Sequence, residues 1–170
     1  MDEIYIVEYD PRWATLFEEE AERIWQALGK NLVVEIEHIG STAVSGLAAK
    51  PIIDIMVGVY SLVDALIAIP ALEALEYVYW REDPRPGRMF FVKGMPPYGK
   101  QRTHHVHIVE RESEFWQRKL FRDYLRTHPE EKQGYEALKR NLAARFSSDR
   151  EAYTNGKKEY IQRLMEKARH

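Results

Sequence analysis

The 170-residue sequence contains no cysteine, which excludes a disulfide framework, a thiolate zinc site and a cysteine nucleophile, and gives no reason to expect an oxidising compartment. It has no apolar run approaching the roughly 20 residues that a membrane-spanning helix needs. Its Met-Asp-Glu start lacks the basic and apolar regions of a signal peptide. The predicted location is therefore the cytoplasm, with no membrane partner. A block of like charge is also missing: 25 Lys+Arg stand against 27 Asp+Glu. The two parts of the chain nevertheless differ, with 10 basic and 17 acidic residues in 1–110 but 15 and 10 in 111–170. A basic C-terminal third can attract a phosphate-bearing ligand. Because the signs are interspersed, a nucleic acid such as RNA is a weaker candidate than a small molecule. What the sequence does hold is core material, 45% hydrophobic with 4 Trp, 10 Tyr and 6 Phe, in a chain of one-domain length. One domain over residues 1–170 is expected.

Asp10-Pro11 is a helix start, and Trp13, Phe17, Ala21, Ile24 and Leu28 recur at helical spacing up to Gly29, so a helix is predicted over about 11–28. Strands are predicted at 32–39, 51–59, 76–80, 88–93 and 104–110. A short helix opened by Ser61 and Asp64 and closed by Pro70 falls between the second and third strands. Segments 81–87 and 94–103, rich in Pro, Gly and basic residues, read as lids or recognition loops. From Ser113 the pattern is helical, broken at His128-Pro129, with Ser148 and Glu151 as a capping box for the last stretch and Asn155-Gly156 as a break within it. A sheet followed by helices without regular crossover units gives an α+β fold.

Three segments carry chemistry. In Gly40-Ser41-Thr42, at the end of the first strand, glycine lets the backbone approach an anion and the neighbouring N–H and hydroxyl groups can hold phosphate oxygens; a plain strand-to-helix turn gives the same sequence. Lys50-Pro51-Ile52-Ile53-Asp54-Ile55-Met56-Val57 places one carboxylate in an apolar strand. Because an isolated buried carboxylate is costly, Asp54 should face a site, a cation or another partner such as Lys50. In Thr103-His104-His105-Val106-His107, the alternation of a strand puts His105 and His107 on one face, where imidazoles can ligate a metal or contact phosphate. The histidine-triad hydrolases share this alternation, but their third histidine would fall at Val109. Arg88, Lys93, Arg102, Arg122, Arg126 and Lys157 suit phosphate contacts, yet each taken singly reads as an ordinary surface residue. Phe90, Phe91, Trp116 and Phe121 read as core.

Together these segments resemble the GrpB-like family, which is assigned by similarity to the polymerase-β-like nucleotidyltransferase superfamily. The resemblance is carried by Ile36 to Val57 (IEHIGSTAVSGLAAKPIIDIMV) and extends through Asp10-Pro11-x-Trp13, Arg88-x-Phe90-Phe91-x-Lys93, His105 to Val109, Phe121 to Arg126, and Tyr153-x-x-Gly156-Lys157. It implies a nucleotidyltransferase-like mixed β-sheet with flanking helices and a helical C-terminal third. It also implies a nucleotide or nucleotide-containing small molecule as partner, held by Gly40, Ser41, Thr42 and Lys50. Asp54 would be the catalytic residue and, with His105 and His107, the ligand of a divalent ion: magnesium, manganese or zinc. The implied reaction moves a nucleotidyl group from an NTP to an acceptor. The superfamily places a second carboxylate two residues after the first; here that position is Met56, whose thioether is no ligand for magnesium. The rivals are a non-catalytic module binding a nucleotide, cofactor or RNA, and a metal-dependent phosphohydrolase. Fusion of GrpB-like sequences to dephospho-coenzyme A kinase fits the first rival by association. Ser45 stands where related sequences often have proline, a change in loop stiffness more than in chemistry.

Overall fold

The computed structural model describes residues 3–170. Five strands, β1 (Val33–Ile39), β2 (Ile53–Val59), β3 (Tyr77–Tyr79), β4 (Arg88–Lys93) and β5 (His104–Glu110), form one mixed sheet in the order β1-β2-β5-β4-β3. Only β2 and β5 run parallel; the other pairs are antiparallel. The helices are α1 (Arg12–Leu28), α2 (Ala68–Glu73), α3 (Arg118–Thr127), α4 (Pro129–Arg145) and α5 (Arg150–Arg169). The expected α+β architecture with a helical C-terminal third is what the chain forms.

Strand alternation sorts the two sheet faces. Ile53, Ile55, Val57 and Val59 of β2, Val106 and Ile108 of β5 and Phe91 of β4 point to one side, where they form the main core with Trp13 and Ile24 of α1 and Ala68 and Leu72 of α2. The opposite side carries Asp54 and Met56 from β2, His105, His107 and Val109 from β5, and Arg88 and Phe90 from β4. Here Met56 packs with Ile39, Val109 and Trp116. Helices α3, α4 and α5 pack on one another and take Val44 and Leu47 of the β1–β2 connection into a second core with Leu125, Tyr135 and Leu164. One side of the sheet is thus sealed by α1 and α2. The other meets a helical unit that reaches it through the β1–β2 connection.

Local structure departs from expectation in four places. The helix expected from Ser61 and Asp64 is a 3-10 turn, Asp64–Ile67, running into α2, and neither piece has a side-chain cap. Pro70 lies inside α2, not at its end, because it occupies the first turn, where a missing N–H breaks no helical bond. The last helix is capped by Asp149, whose Oδ1 accepts the Ala152 N–H at 3.1 Å, not by Ser148. It also runs unbroken through Asn155-Gly156. Gly156 serves packing: a Cβ there would come within 2.5 Å of a Leu142 methyl on α4. The N-terminal signal does hold, since Asp10 Oδ1 accepts the Arg12 N–H at 2.9 Å and starts α1.

Candidate functional site

Gly40 ends β1 with φ at +76°, a left-handed value that favours glycine, and a Cβ on it would lie 2.8 Å from Asp54 Oδ2. The turn and the carboxylate are therefore in direct contact, although 14 positions separate them in sequence. The segment after the turn is held by its backbone. Arg126 donates to the Ala43 carbonyl at 2.7 and 3.0 Å, and Lys132 to that of Ser45 at 3.2 Å. The Ala48 N–H donates to Glu136 at 2.9 Å, while the Ala48 carbonyl accepts from the buried Lys139 at 2.6 Å. Helices α3 and α4 thereby fix the whole connection from Gly40 to Lys50.

Parallel pairing of β2 and β5 sets Asp54 beside His105 and Met56 beside His107. Asp54 Oδ1 lies 3.3 Å from His105 Nδ1 and 3.1 Å from His107 Nε2. On the far side of His107, an Arg88 terminal nitrogen lies 2.7 Å from Nδ1. Guanidinium only donates, so Nδ1 accepts, the ring proton sits on Nε2, and Nε2–H donates to Asp54. A longer contact, 3.4 Å from Arg102 to His105 Nε2, orients His105 in the same sense. Arg88 is itself held by Asp83 at 2.6 and 3.3 Å. Phe90 forms the floor, with its ring centroid 5.1 Å from His105, 5.0 Å from His107 and 4.3 Å below the Arg88 guanidinium.

Burial drives His107 down to about 4, with the charges of Arg88 and Arg118 adding to it, and lowers His105 as well. Both rings are neutral donors at neutral pH. Burial alone would raise the Asp54 carboxyl, but hydrogen bonds from His105 and His107 outweigh it and hold the group well below the usual carboxylate range. Around this carboxylate lie cations from five parts of the chain. Lys50, Arg118 and Lys157 all couple to Asp54, and Arg85, Arg102 and Arg150 couple in turn to members of that set. Lys157 is lowered to about 8, by burial first, and Lys50 is lowered well below its ordinary value by burial and by Lys157.

The expected site residues separate cleanly. Gly40, Asp54, His105 and His107 meet, Lys50 joins them electrostatically, and Ser41 is the polar neighbour of the Tyr135 hydroxyl, which also senses Asp54. Thr42 is different. It is buried, its hydroxyl lies 2.9 Å from His38 Nε2 and 3.4 Å from the Ile52 carbonyl, and it braces the turn from behind. Of the six basic positions, Lys93 pairs with Glu20 at 2.9 Å and Arg122 with Glu37 at 2.8 Å, and Arg126 serves the Ala43 carbonyl. Arg88, Arg102 and Lys157 belong to the cluster. Phe91, Trp116 and Phe121 are core, as expected; Phe90 is buried too, but against the two imidazoles. Sequence reading did not place Arg85, Arg118, Arg150, Tyr135 or Tyr153 in the site. The nearest signal was the Arg88-x-Phe90 alternation, which becomes informative once β4 is known to pair with β5.

An Asp54 oxygen, His105 Nδ1 and His107 Nε2 all lie within 4.8 Å of one another. In atom type and spacing they fit one divalent ion that takes nitrogen and oxygen donors, such as manganese or zinc. Each histidine would join such a set only with its ring proton moved to the other nitrogen and the facing arginine, Arg88 for His107 and Arg102 for His105, turned away, since a metal-bound imidazole ordinarily donates its second N–H to an acceptor. Among the described residues no second carboxylate completes a two-ion site: Met56 is fully buried, and Glu37, on the adjoining strand, is paired with Arg122.

Comparison with known proteins settles the family. The family model described as GrpB protein matches residues 3–167. The chain belongs to the GrpB family. Over 167 residues it is 47% identical to a UPF0157 protein of Pseudomonas aeruginosa, covering 98% of this chain and 68% of that one. It is 34% identical to the glutamate-rich protein GrpB of Alkalihalophilus pseudofirmus, covering 96% and 94%. The crystal structure of the conserved protein GrpB from Enterococcus faecalis superposes with a TM-score of 0.86 at 36% identity, over 96% of each chain. These relatives support the fold and the family. Among the described residues, no helix is long and apolar enough to cross a membrane.

Proposed function

We propose that this GrpB-family protein binds a nucleotide by its phosphates at the Asp54 cluster, together with one divalent ion, and transfers the nucleotidyl group to a hydroxyl-bearing acceptor. The observation that carries this reading is the charge pattern. One carboxylate, held ionised by two neutral imidazoles, is surrounded by Lys50 of the β1–β2 connection, Arg85 of the 81–87 loop, Arg118 of α3 and Lys157 of α5. Such a ring is unfavourable by itself and favourable around a polyanion. The Gly40 turn brings backbone to the carboxylate, Ser41 offers a hydroxyl, and Lys50 and Lys157 supply ammonium groups for phosphate oxygens. Asp54 and His105, its ring proton moved from Nδ1 to Nε2, would hold the ion, whose contribution would be to offset charge on the phosphates. Arg88 keeps His107 a donor, suited to a phosphate oxygen or to Asp54.

The test is calorimetric titration of ATP, GTP, CTP and UTP into the wild type and a folded Asp54→Asn variant, with and without manganese or magnesium. Metal-dependent binding that the variant loses supports the reading, and no binding by the wild type refutes it. Product analysis then separates chemistries: pyrophosphate release dependent on an acceptor marks transfer, whereas inorganic phosphate marks a phosphohydrolase. A second reading, a non-catalytic nucleotide-binding module, draws on Met56. Where two-ion transferases need a carboxylate, this chain buries a thioether against Ile39, Val109 and Trp116. Binding without any turnover selects it.

A further inference from the structure

Tyr153, in the first turn of α5, is fully buried, yet its hydroxyl has no hydrogen-bond partner among the described residues. A buried orphan hydroxyl costs about 1–3 kcal/mol, so native structures seldom keep one without a use. Its surroundings suggest the use. Lys50 Nζ lies 4.8 Å from the centroid of the Tyr153 ring and Lys157 Nζ 4.6 Å from it, so two ammonium groups share one aromatic side chain. Burial first, and then Tyr153 and Asp54, raise the Tyr135 phenol, which Ser41 opposes as its polar neighbour. Burial disfavours the charged forms of both lysines, Lys157 adds to this at Lys50 and Arg118 at Lys157, and Asp54 is the carboxylate that opposes it. Two lysines thus share the ring of a tyrosine whose buried hydroxyl has no partner among the described residues, and Asp54 is the carboxylate that both lysines sense.

We propose that Tyr153 and Lys157 of α5, with Lys50 against the same Tyr153 ring, form a subsite for a phosphate group of the ligand. The subsite deepens the nucleotide reading above and rests on it for the ligand's identity, but its own anion chemistry is independent of metal. Phosphate is the chemical match because a dianion balances two ammonium groups and its three terminal oxygens suit several separate donors, which one carboxylate could not occupy. The arrangement also gives α5 a role that the Gly40-Ser41 turn cannot fill alone. Lys157 lies one helical turn beyond Tyr153, so both side chains project from the same face.

The experiment is titration of inorganic pyrophosphate and phosphate, with EDTA present, into the wild type, Tyr153→Phe and Lys157→Met, together with thermal melts of each protein without ligand. The expected result is metal-free pyrophosphate binding by the wild type, weakened at least about tenfold in Lys157→Met and about three- to tenfold in Tyr153→Phe. Tyr153→Phe should melt at or above the wild-type temperature, because it removes a hydroxyl that has no partner in the ligand-free protein. A Tyr153→Phe melt lowered by several degrees would overturn the subsite by revealing a structural bond to the hydroxyl. Binding unaltered in both variants would overturn it by placing the anion elsewhere. Failure of the wild type to bind either anion without metal would overturn it as well. In that case manganese-dependent nucleotide binding lost in Asp54→Asn would still stand, so the two readings fail separately.

Discussion

Replacing Arg88 by methionine probes the support behind the site. The Arg88 and Asp83 side chains are 2% and 5% exposed, with Nε to Oδ2 at 2.6 Å, and the same guanidinium donates to His107 Nδ1 at 2.7 Å. Methionine keeps the aliphatic stem over Phe90 but leaves the Asp83 carboxylate buried without its cation, a loss of about 3–5 kcal/mol. Removing both charges in Arg88→Met/Asp83→Asn leaves no such orphan, so the double variant should cost less than the two single variants together, with a coupling on the order of 2 kcal/mol. Urea unfolding followed by tryptophan fluorescence reads all four proteins, and nitrogen chemical shifts of His107 in the folded variants read its tautomer. Wild type should show Nδ1 as the unprotonated nitrogen, and Arg88→Met should show a mixture. A cost below about 1 kcal/mol for Arg88→Met, or strict additivity, would refute the reasoning, because either would place the pair in solvent.

Gly40→Ala combines a left-handed backbone with a Cβ 2.8 Å from Asp54 Oδ2. It should cost about 1–3 kcal/mol and abolish any Asp54-dependent ligand binding, as read by thermal melts and calorimetry. Gly156→Ala raises helix propensity but drives a Cβ into Leu142, so it should lower stability by about 1–3 kcal/mol where propensity alone predicts a gain; chemical denaturation decides the sign. His38 is buried, stacked on Phe17 at 4.7 Å and lowered to about 4, by burial first. The unfolded chain therefore binds the proton more readily. The stability tied to neutral His38 is complete above about pH 6.5 and drains as the pH falls toward 4, at up to about 1.4 kcal/mol per pH unit. Unfolding titrations of the wild type and His38→Gln should differ in slope across that window; identical slopes would refute it.

Much of the architecture was legible in the residues because it is local. The apolar spacing from Trp13 to Leu28 and the alternation around Asp54 and His107 each decide an element without reference to distant chain. Strand alternation alone also put Ile53 and Ile55 on the opposite face from Asp54, and His105 on the same face as His107. The misread boundaries were those where a neighbour decides: Gly156 looks like a breaker until Leu142 is packed against it, and Ser148 looks like a cap until Asp149 takes the Ala152 N–H. What only the tertiary structure decided is which charges meet. Parallel pairing of β2 with β5 brought Asp54 to the histidines. Pairing of β4 with β5 turned Arg88 from a surface candidate into the residue that sets the His107 proton. The return of α5 brought Tyr153 and Lys157 to Lys50, more than 100 positions earlier in the chain. Composition records that a lysine is present; only packing fixes how much water it loses and which carboxylate it faces, and those two quantities set its charge and its use.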